Sequence, residues 1–401
     1  MFRFRSFLPF ASALAIFLAA CSPPPVAKPP YIDLATNQPA SVVIGQPDFT
    51  STSETDMTRS FTSTYGRPLL LNGVLYLPDY GAGRVMGYLG VPTANDAAAD
   101  FVLGRDGFDD FAPGPASARR LGGPQSLATD GTRVFLSDFG FNRILAYDTA
   151  PTTTHALADY AIGQPDLTSG GPGCSATSLD EPEGMYAHGG KLMVADSTNN
   201  RVLIWNTIPL DGMTPPDVVL GQASFATCAL NDDAQSGLGG AAPTARTLYY
   251  PTGVWTNGQL LVVADAGNNR VLIWTGFPTA SFTPADLVLG QVDFGSDAAS
   301  AAASGLDAPQ SVHGNGTQLF VADTYNNRVL LWNAMPTTNG QPADAVLGQP
   351  DLVSALPNGG ALSATARGFD HPTGVYAIGN RLLVADNHNH RYLIFEGATT
   401  P

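Results

Sequence analysis

The stretch "VADSTNNRVLIW", residues 194–205, decides the fold, because copies of it recur along the whole chain. The copies are "VADAGNNRVLIW" at 263–274, "VADTYNNRVLLW" at 321–332, "VADNHNHRYLIF" at 384–395 and "LSDFGFNRILAY" at 136–147. A more divergent copy, "LPDYGAGRVMGY", occupies residues 77–88. A catalytic centre is normally unique, so six copies indicate a repeat protein in which the motif is a structural unit.

Each repeat contains four short runs that favour β-strands. In the fourth repeat they are "TGVWT", "QLLVVAD", "RVLIW" and "DLVLGQ", and Gly, Asn or Pro turns separate them. A proline precedes the first strand of each repeat: Pro68, Pro124, Pro182, Pro251, Pro309 and Pro372. Four antiparallel strands in each of six repeats predict an all-β chain folded as a six-bladed β-propeller.

The two ends of the chain predict how the ring closes. The sixth repeat stops after "RYLIFEG" and lacks a fourth strand, whereas an unassigned strand, "SVVIGQPDF", lies at residues 41–49 before the first repeat. We expect this N-terminal strand to complete the last blade, so that no open sheet edge remains.

The turn within the motif has a structural interpretation. Asp and Asn tolerate left-handed backbone and form hydrogen bonds with it. The arginine five residues after the aspartate is placed to pair with it across the turn between the second and third strands of a blade.

The "VADxxNNRVLIW" motif resembles the NHL repeat, and the resemblance covers residues 41–396. NHL domains are often six-bladed propellers, which agrees with the strand count. They include RNA-binding modules, sensor domains and a zinc-containing amidating lyase, so the resemblance implies a fold more than a function.

The N-terminus resembles a bacterial lipoprotein signal. Basic residues precede the apolar run "FLPFASALAIFLAA" at 7–20, and "LAAC" ends at Cys21. The resemblance implies that residues 1–20 are removed and that Cys21 carries lipid, including palmitate; the alternative is an ordinary secretory signal. Residues 21–40 would form a proline-rich tether and residues 41–401 the propeller. The protein would then face the periplasm or the exterior from the cell membrane or the outer membrane.

Charge and cysteine content narrow the partners further. The formal net charge is −15, which repels a phosphate backbone and argues against nucleic-acid binding. With Cys21 lipidated, the two remaining cysteines, Cys174 and Cys228, are expected to form a disulfide in an oxidising compartment.

Loop lengths indicate a working face. From the glycine of "VLGQ" to the next blade proline the spacing ranges from 19 to 30 residues, while the other spacings barely vary. These connections share a face with the Asp-Asn-Arg turns, and we refer to it as the variable face. Variable loops on a rigid scaffold are where binding is usually placed.

Candidate ligand-binding residues lie on the variable face, in the turns or beside the blade prolines, where side chains are expected to surround the channel mouth. They are Tyr80, Phe139, Glu181, Glu183, Tyr250, Gln310, Tyr325 and His371, and Arg67 beside Pro68 is assigned to the same mouth. Each aromatic residue has an alternative role, that of packing its own turn.

Metal binding is the second hypothesis for this face. His371, His388 and His390 all belong to the last blade, and "HNH" could present two imidazoles; alternatively, His simply replaces Asn in a polar turn. His188 and His313 are assigned to the opposite face. No cofactor is predicted, although a divalent metal in the channel is left open.

The sequence therefore favours a monomeric, lipid-anchored scaffold that binds a cell-envelope protein or a small polar ligand. The alternative is a metal-dependent lyase or hydrolase with its site at the channel mouth.

Overall fold

A computed structural model describes residues 1–2 and 31–398. Cys21 and nearly all of the predicted signal peptide lie outside the described residues, as do residues 399–401. Within the described residues, no helix is long and apolar enough to cross a bilayer. The helices there are short 3-10 turns: Phe139–Phe141, Ala266–Asn268, Pro357–Gly360 and Asn387–Asn389.

Six four-stranded antiparallel sheets confirm the predicted β-propeller. The first three blades have the following strands, from the channel outward. Blade one has β2 (Leu69–Leu71), β3 (Val74–Asp79), β4 (Arg84–Tyr88) and β5 (Phe101–Leu103). Blade two has β6 (Pro124–Thr129), β7 (Val134–Asp138), β8 (Arg143–Tyr147) and β9 (Tyr160–Ile162). Blade three has β10 (Pro182–His188), β11 (Lys191–Asp196), β12 (Arg201–Trp205) and β13 (Val218–Leu220).

The remaining blades repeat the same order. Blade four has β14 (Pro251–Thr256), β15 (Leu261–Asp265), β16 (Arg270–Trp274) and β17 (Leu287–Leu289). Blade five has β18 (Pro309–Gly314), β19 (Leu319–Asp323), β20 (Arg328–Trp332) and β21 (Ala345–Leu347). Blade six has β22 (Pro372–Ile378), β23 (Arg381–Asp386) and β24 (Arg391–Glu396), and β1 (Val42–Ile44) is its outer strand.

The predicted closure of the ring is confirmed. Strand β1 pairs antiparallel with β24, with Val43 opposite Leu393. The hydroxyl group of Thr373 in blade six donates to the carbonyl oxygen of Thr64 in blade one at 2.8 Å. Apolar residues of the two blades, including Leu77 and Leu383, share one buried cluster. The first and last blades are therefore neighbours, as any two consecutive blades are.

Residues 31–40, assigned from the sequence to the tether, pack against the propeller. Ile32 is fully buried, and its N–H donates to the side-chain oxygen of Gln318 at 2.7 Å. The N–H of Asn37 donates to the carbonyl oxygen of Val346 at 2.8 Å, as that of Gly340 does to Val288 one blade pair earlier. The segment thus follows the path of a connection between third and fourth strands, and the chain joins the propeller on the face opposite the variable loops.

The disulfide prediction is confirmed. Cys174 and Cys228 are bonded, with Cα atoms 6.4 Å apart and a sequence separation of 54 residues. The bridge joins the connections that enter blades three and four. On the loop-entropy model, a disulfide that closes a loop of this length raises the free energy of unfolding by about 4 kcal/mol.

The Asp and Arg of every motif form a buried ion pair, as predicted. The distance from Arg Nε to Asp Oδ2 is 2.7–2.9 Å in all six blades. In blade four, the second carboxylate oxygen of Asp265 accepts the N–H of Tyr249 at 2.7 Å. Arg270 donates to the carbonyl oxygens of Thr244, Thr247 and Phe294. Each pair thereby anchors two connections of the variable face to the core.

Substitution of one member of such a pair should strongly destabilise the protein. Asp265→Asn leaves the Arg270 guanidinium buried without a counter-charge, so we expect a loss of about 3–5 kcal/mol in the free energy of unfolding, measured by urea denaturation. Asp233→Asn is the matched control, because Asp233 pairs with Arg246 at 3.0 Å on the surface and should cost at most about 1 kcal/mol. Equal losses in the two variants would contradict this account.

Candidate functional site

The asparagine directly before the turn arginine binds the backbone at the start of the following blade. Its side-chain oxygen accepts a backbone N–H of the residue before the next blade proline, at 2.8–2.9 Å. The four pairs are Asn142 with Glu181, Asn200 with Tyr250, Asn269 with Ala308 and Asn327 with His371. All four residues that donate these N–H groups have positive φ, between 46° and 54°. The repeated turn therefore fixes the backbone of the residues that surround the channel mouth.

Aromatic side chains meet around this mouth, as the sequence predicted for the variable face. The ring of Tyr80 lies 5.8 Å from that of Phe139, and 5.7 Å from that of Tyr65, which was not predicted. Across the mouth, Tyr325 packs edge-on against His371 at 5.4 Å. Tyr325 is 57% exposed although it touches its neighbour, so packing and accessibility coexist here.

Carboxyl groups complete the mouth. Glu183 is 4% exposed, and burial raises its pKa to about 8, while a hydrogen bond from the Tyr250 hydroxyl group lowers it by less. Glu181 accepts a hydrogen bond from the hydroxyl group of Thr198 at 2.7 Å. Gln310 accepts one from the hydroxyl group of Tyr65 at 3.0 Å. The mouth thus combines aromatic surface with hydrogen-bonding and acidic groups, the mixture found in ligand sites.

Two of the three predicted metal-binding histidines meet. Nδ1 of His371 and Nδ1 of His388 lie 2.7 and 3.2 Å from the same oxygen of Asp370, and the ligand atoms lie within 4.8 Å of one another. His390 is not part of this cluster. It takes the left-handed position that Asn occupies in other blades, with φ of 55°. The group that could hold a metal therefore consists of His371, His388 and Asp370, and not of three histidines.

Blade one departs from the register assumed for it. The N–H groups of Thr62 and Ser63 donate to Asp79, as those of Gly122 and Gly123 donate to Asp138. Thr64, and not Pro68, therefore occupies the place of the blade proline.

The placement of Arg67 at the variable mouth was consequently wrong. The side chain lies deep in the channel and reaches towards the opposite face, where it lines a cavity. The physical reason is the register of blade one, because Arg67 lies three residues after Thr64, inside the inner segment and not beside its entry. This segment also holds one residue more than that of blade two, since Leu69 and Ala128 have equivalent pairing positions.

The channel is narrow at its waist. A Cβ atom on Gly374 would lie 1.9 Å from the carbonyl oxygen of Gly66, and one on Gly184 would lie 2.3 Å from that of Thr252, so only glycine allows the inner strands to approach this closely. The space between them is about 20 Å³, enough for one water molecule. The two ends of the channel are therefore separate sites.

On the face opposite the variable loops the channel widens into a cavity of about 370 Å³. Its walls include Arg67 and four large rings, those of Tyr186, Trp255, His313 and Tyr376. The sequence contains a signal for this cavity, because each of these rings is the fourth residue after a blade proline. His188 and Asn257 lie at its edge.

Comparisons with known proteins add little. No protein-family model matches the chain, and no curated protein matches it significantly. Among solved structures, the chain is similar to one in a crystal structure of a nidogen/laminin complex, with 16% identity, a TM-score of 0.37, and coverage of 71% of this chain and 82% of that one. The fold rests on the strand pairing of the chain itself.

The buried Glu183 should make stability depend on pH. Its pKa in the folded protein, about 8, exceeds its ordinary value of 4.5, so the folded state binds the proton more tightly. The proton bound by Glu183 therefore contributes to the free energy of unfolding. This contribution is fully present below pH 4.5 and is lost as the pH rises towards 8, by up to about 1.4 kcal/mol per pH unit. We expect Glu183→Gln to remove this slope in urea denaturation at pH 5–9.

Glu181→Gln is the matched control for this measurement. The Glu181 carboxylate reaches solvent, and its charge raises the pKa of Glu183 less than burial does, so its removal should leave most of the slope. If Glu183→Gln and the wild type lose stability in parallel over this pH range, Glu183 is not the buried acid described here.

Proposed function

We propose that the protein is a binding module of the cell envelope, a lipid-anchored, extracytoplasmic propeller of NHL type. Its variable face captures a protein or a small polar ligand, and the protein acts as a monomer that does not bind nucleic acid. The observation that carries the proposal is the aromatic rim at the channel mouth, formed by Tyr80, Phe139, Tyr325 and His371. Exposed aromatic residues on a rigid framework are frequent anchors of binding.

The position of the N-terminal segment supports an orientation on the membrane. Residue 31 lies on the face opposite the variable loops, where Ile32 bonds to Gln318 at the start of β19. Ten residues separate Cys21 from Tyr31, and extended proline-rich chain of this length spans roughly 30 Å. With lipid on Cys21, the variable face would point away from the membrane and be free to meet a partner.

A metal-dependent lyase or hydrolase is the second candidate, favoured by the cluster of Asp370, His371 and His388. Three protein ligands and an open position are what a catalytic zinc site requires. In the structure, however, both Nδ1 atoms face the same carboxylate oxygen, an arrangement that also serves as a hydrogen-bond network. Stoichiometric metal in the purified protein that disappears in His371→Ala would favour the enzyme over the binding module.

The variable face can be tested by capture of a cross-linked partner. We expect Tyr325→Ala to weaken capture about tenfold, the effect of removing an anchor residue worth 1–2 kcal/mol, without lowering stability. Leu210→Ala is the matched control, because Leu210 is 72% exposed in a connection of the opposite face, outside the cavity. A loss of capture in His188→Ala but not in Tyr325→Ala would place the working surface on the opposite face.

The lipid anchor is tested separately. Mass spectrometry of the mature protein should find lipidated Cys21 as its first residue, and Cys21→Ser should leave the membrane fraction. Cleavage at another residue, or an unmodified Cys21, would show that the signal is an ordinary secretory one.

A further inference from the structure

Arg67 differs from the six turn arginines in having no acidic partner. It is 5% exposed, and its Nη2 atom donates to the carbonyl oxygens of Leu127 at 2.7 Å and Met185 at 2.6 Å. In the described part of the chain, no carboxylate lies within 4.0 Å of its guanidinium group, and Nε and Nη1 make no hydrogen bond. An arginine stays charged in proteins, so a buried cation is left without a counter-ion.

Aromatic rings surround this cation. The guanidinium carbon lies 4.8 Å from the ring centre of Tyr186 and 5.9 Å from that of Tyr376. The rings of His313 and Tyr376 are 5.0 Å apart, and Trp255 lies 6.4 Å from both Tyr186 and His313. The faces of these rings attract the cation, but such contacts compensate only part of the cost of burying it. They also provide flat apolar walls for a ligand.

Two side chains of the cavity, Arg67 and His313, can donate hydrogen bonds to a ligand. Nδ1 of His313 accepts the N–H of Ala377 at 3.2 Å, so the neutral imidazole carries its proton on Nε2. Burial, and then the charge of Arg67, lower the pKa of His313 well below its ordinary value, so the ring is neutral at physiological pH. No Asp or Glu is among the described residues that line the cavity. In a chain of net charge −15, this concave surface is therefore locally positive.

Size and shape fit a small molecule. A volume of about 370 Å³ lies within the range of small-molecule sites. The waist closes one end to anything larger than water, so that a ligand enters from the opposite face and stops at Arg67. A single positive charge suits a carboxylate, whereas a phosphate dianion would require more charge than the cavity offers.

We propose that this cavity binds a small organic monoanion, a carboxylate with a planar apolar body. The carboxylate would accept hydrogen bonds from Nη1 or Nε of Arg67 and from Nε2–H of His313. The body would lie among Tyr186, Trp255 and Tyr376. This site is independent of the lipid anchor and of the variable face, so either proposal can fail without the other.

Isothermal titration of the purified full chain tests the proposal, with cinnamate and indole-3-acetate as probes. At least one of the two acids should bind with a Kd below 1 mM, about −4 kcal/mol. Cinnamamide, which has the same planar body without the charge, should bind at least tenfold more weakly than cinnamate if cinnamate is the acid that binds. Inorganic phosphate should not compete at equal concentration.

Arg67→Gln should reduce the affinity for the acid at least tenfold. Arg105→Gln is the matched control, because Arg105 is also buried, donates to the backbone carbonyl oxygens of Ala82 and Leu121, and lies on the variable face where other blades carry glutamine. It should bind the acid as the wild type does.

The proposal is overturned if neither acid binds, if the amide binds as well as its acid, or if Arg67→Gln binds like the wild type. Should Arg67→Gln fail to fold, the comparison of acid, amide and phosphate on the wild type decides alone. Capture of a partner at the variable face is a separate readout, and neither result depends on the other.

Discussion

The buried pair of aspartate and arginine in each blade is the interaction on which the rest of the structure depends. A charged pair inside a protein is costly unless its remaining hydrogen-bonding groups are satisfied. In blade three, Asp196 accepts bonds from Asp180 and Asn199, and Arg201 donates to three loop carbonyl oxygens. These carbonyls belong to the connections before and after the blade. The pair therefore orders loops that contain no regular structure of their own.

This arrangement explains how loop length can vary while the channel mouth stays rigid. The neighbouring asparagine fixes the entry residue of the next blade, and the aspartate fixes the backbone two residues before the blade proline. Insertions such as the long connection between Gly221 and Pro251 are accommodated between these fixed points, and the bond between Cys174 and Cys228 restrains that connection further. A rigid mouth with variable loops around it is a suitable base for binding.

The two ends of the channel have opposite character. Glu181, Glu183 and Asp370 lie at the variable mouth, whereas Arg67 faces the cavity of the other end. The cation arises where the repeat is least regular, because blade one has lost the proline register and gained one residue. Departures from a repeat's own rules are where specialised sites are expected. The two ends of the channel therefore suit ligands of different chemistry.

Periodic features could be derived from the sequence alone. The copies of Asp-x-x-Asn-Asn-Arg determined the blade number, the strand order and the buried ion pairs, and the missing strand of the sixth repeat determined how the ring closes. The sequence also assigned Tyr80, Phe139, Tyr325 and His371 to one face, from their positions in the turns or beside a blade proline. The pairing of Cys174 with Cys228 followed from the cysteine count, since Cys21 was assigned to the lipid anchor.

Only the tertiary structure decided the features that break the period or cross the axis. Because Thr64 and not Pro68 holds the place of the blade proline, Arg67 lies three residues inside blade one and faces the far cavity, not the expected mouth. His390 was separated from His371 and His388 by its left-handed backbone. The cage of Tyr186, Trp255, His313 and Tyr376 joins residues of four blades. Its members are distant in the chain, and only closure of the ring brings their side chains together.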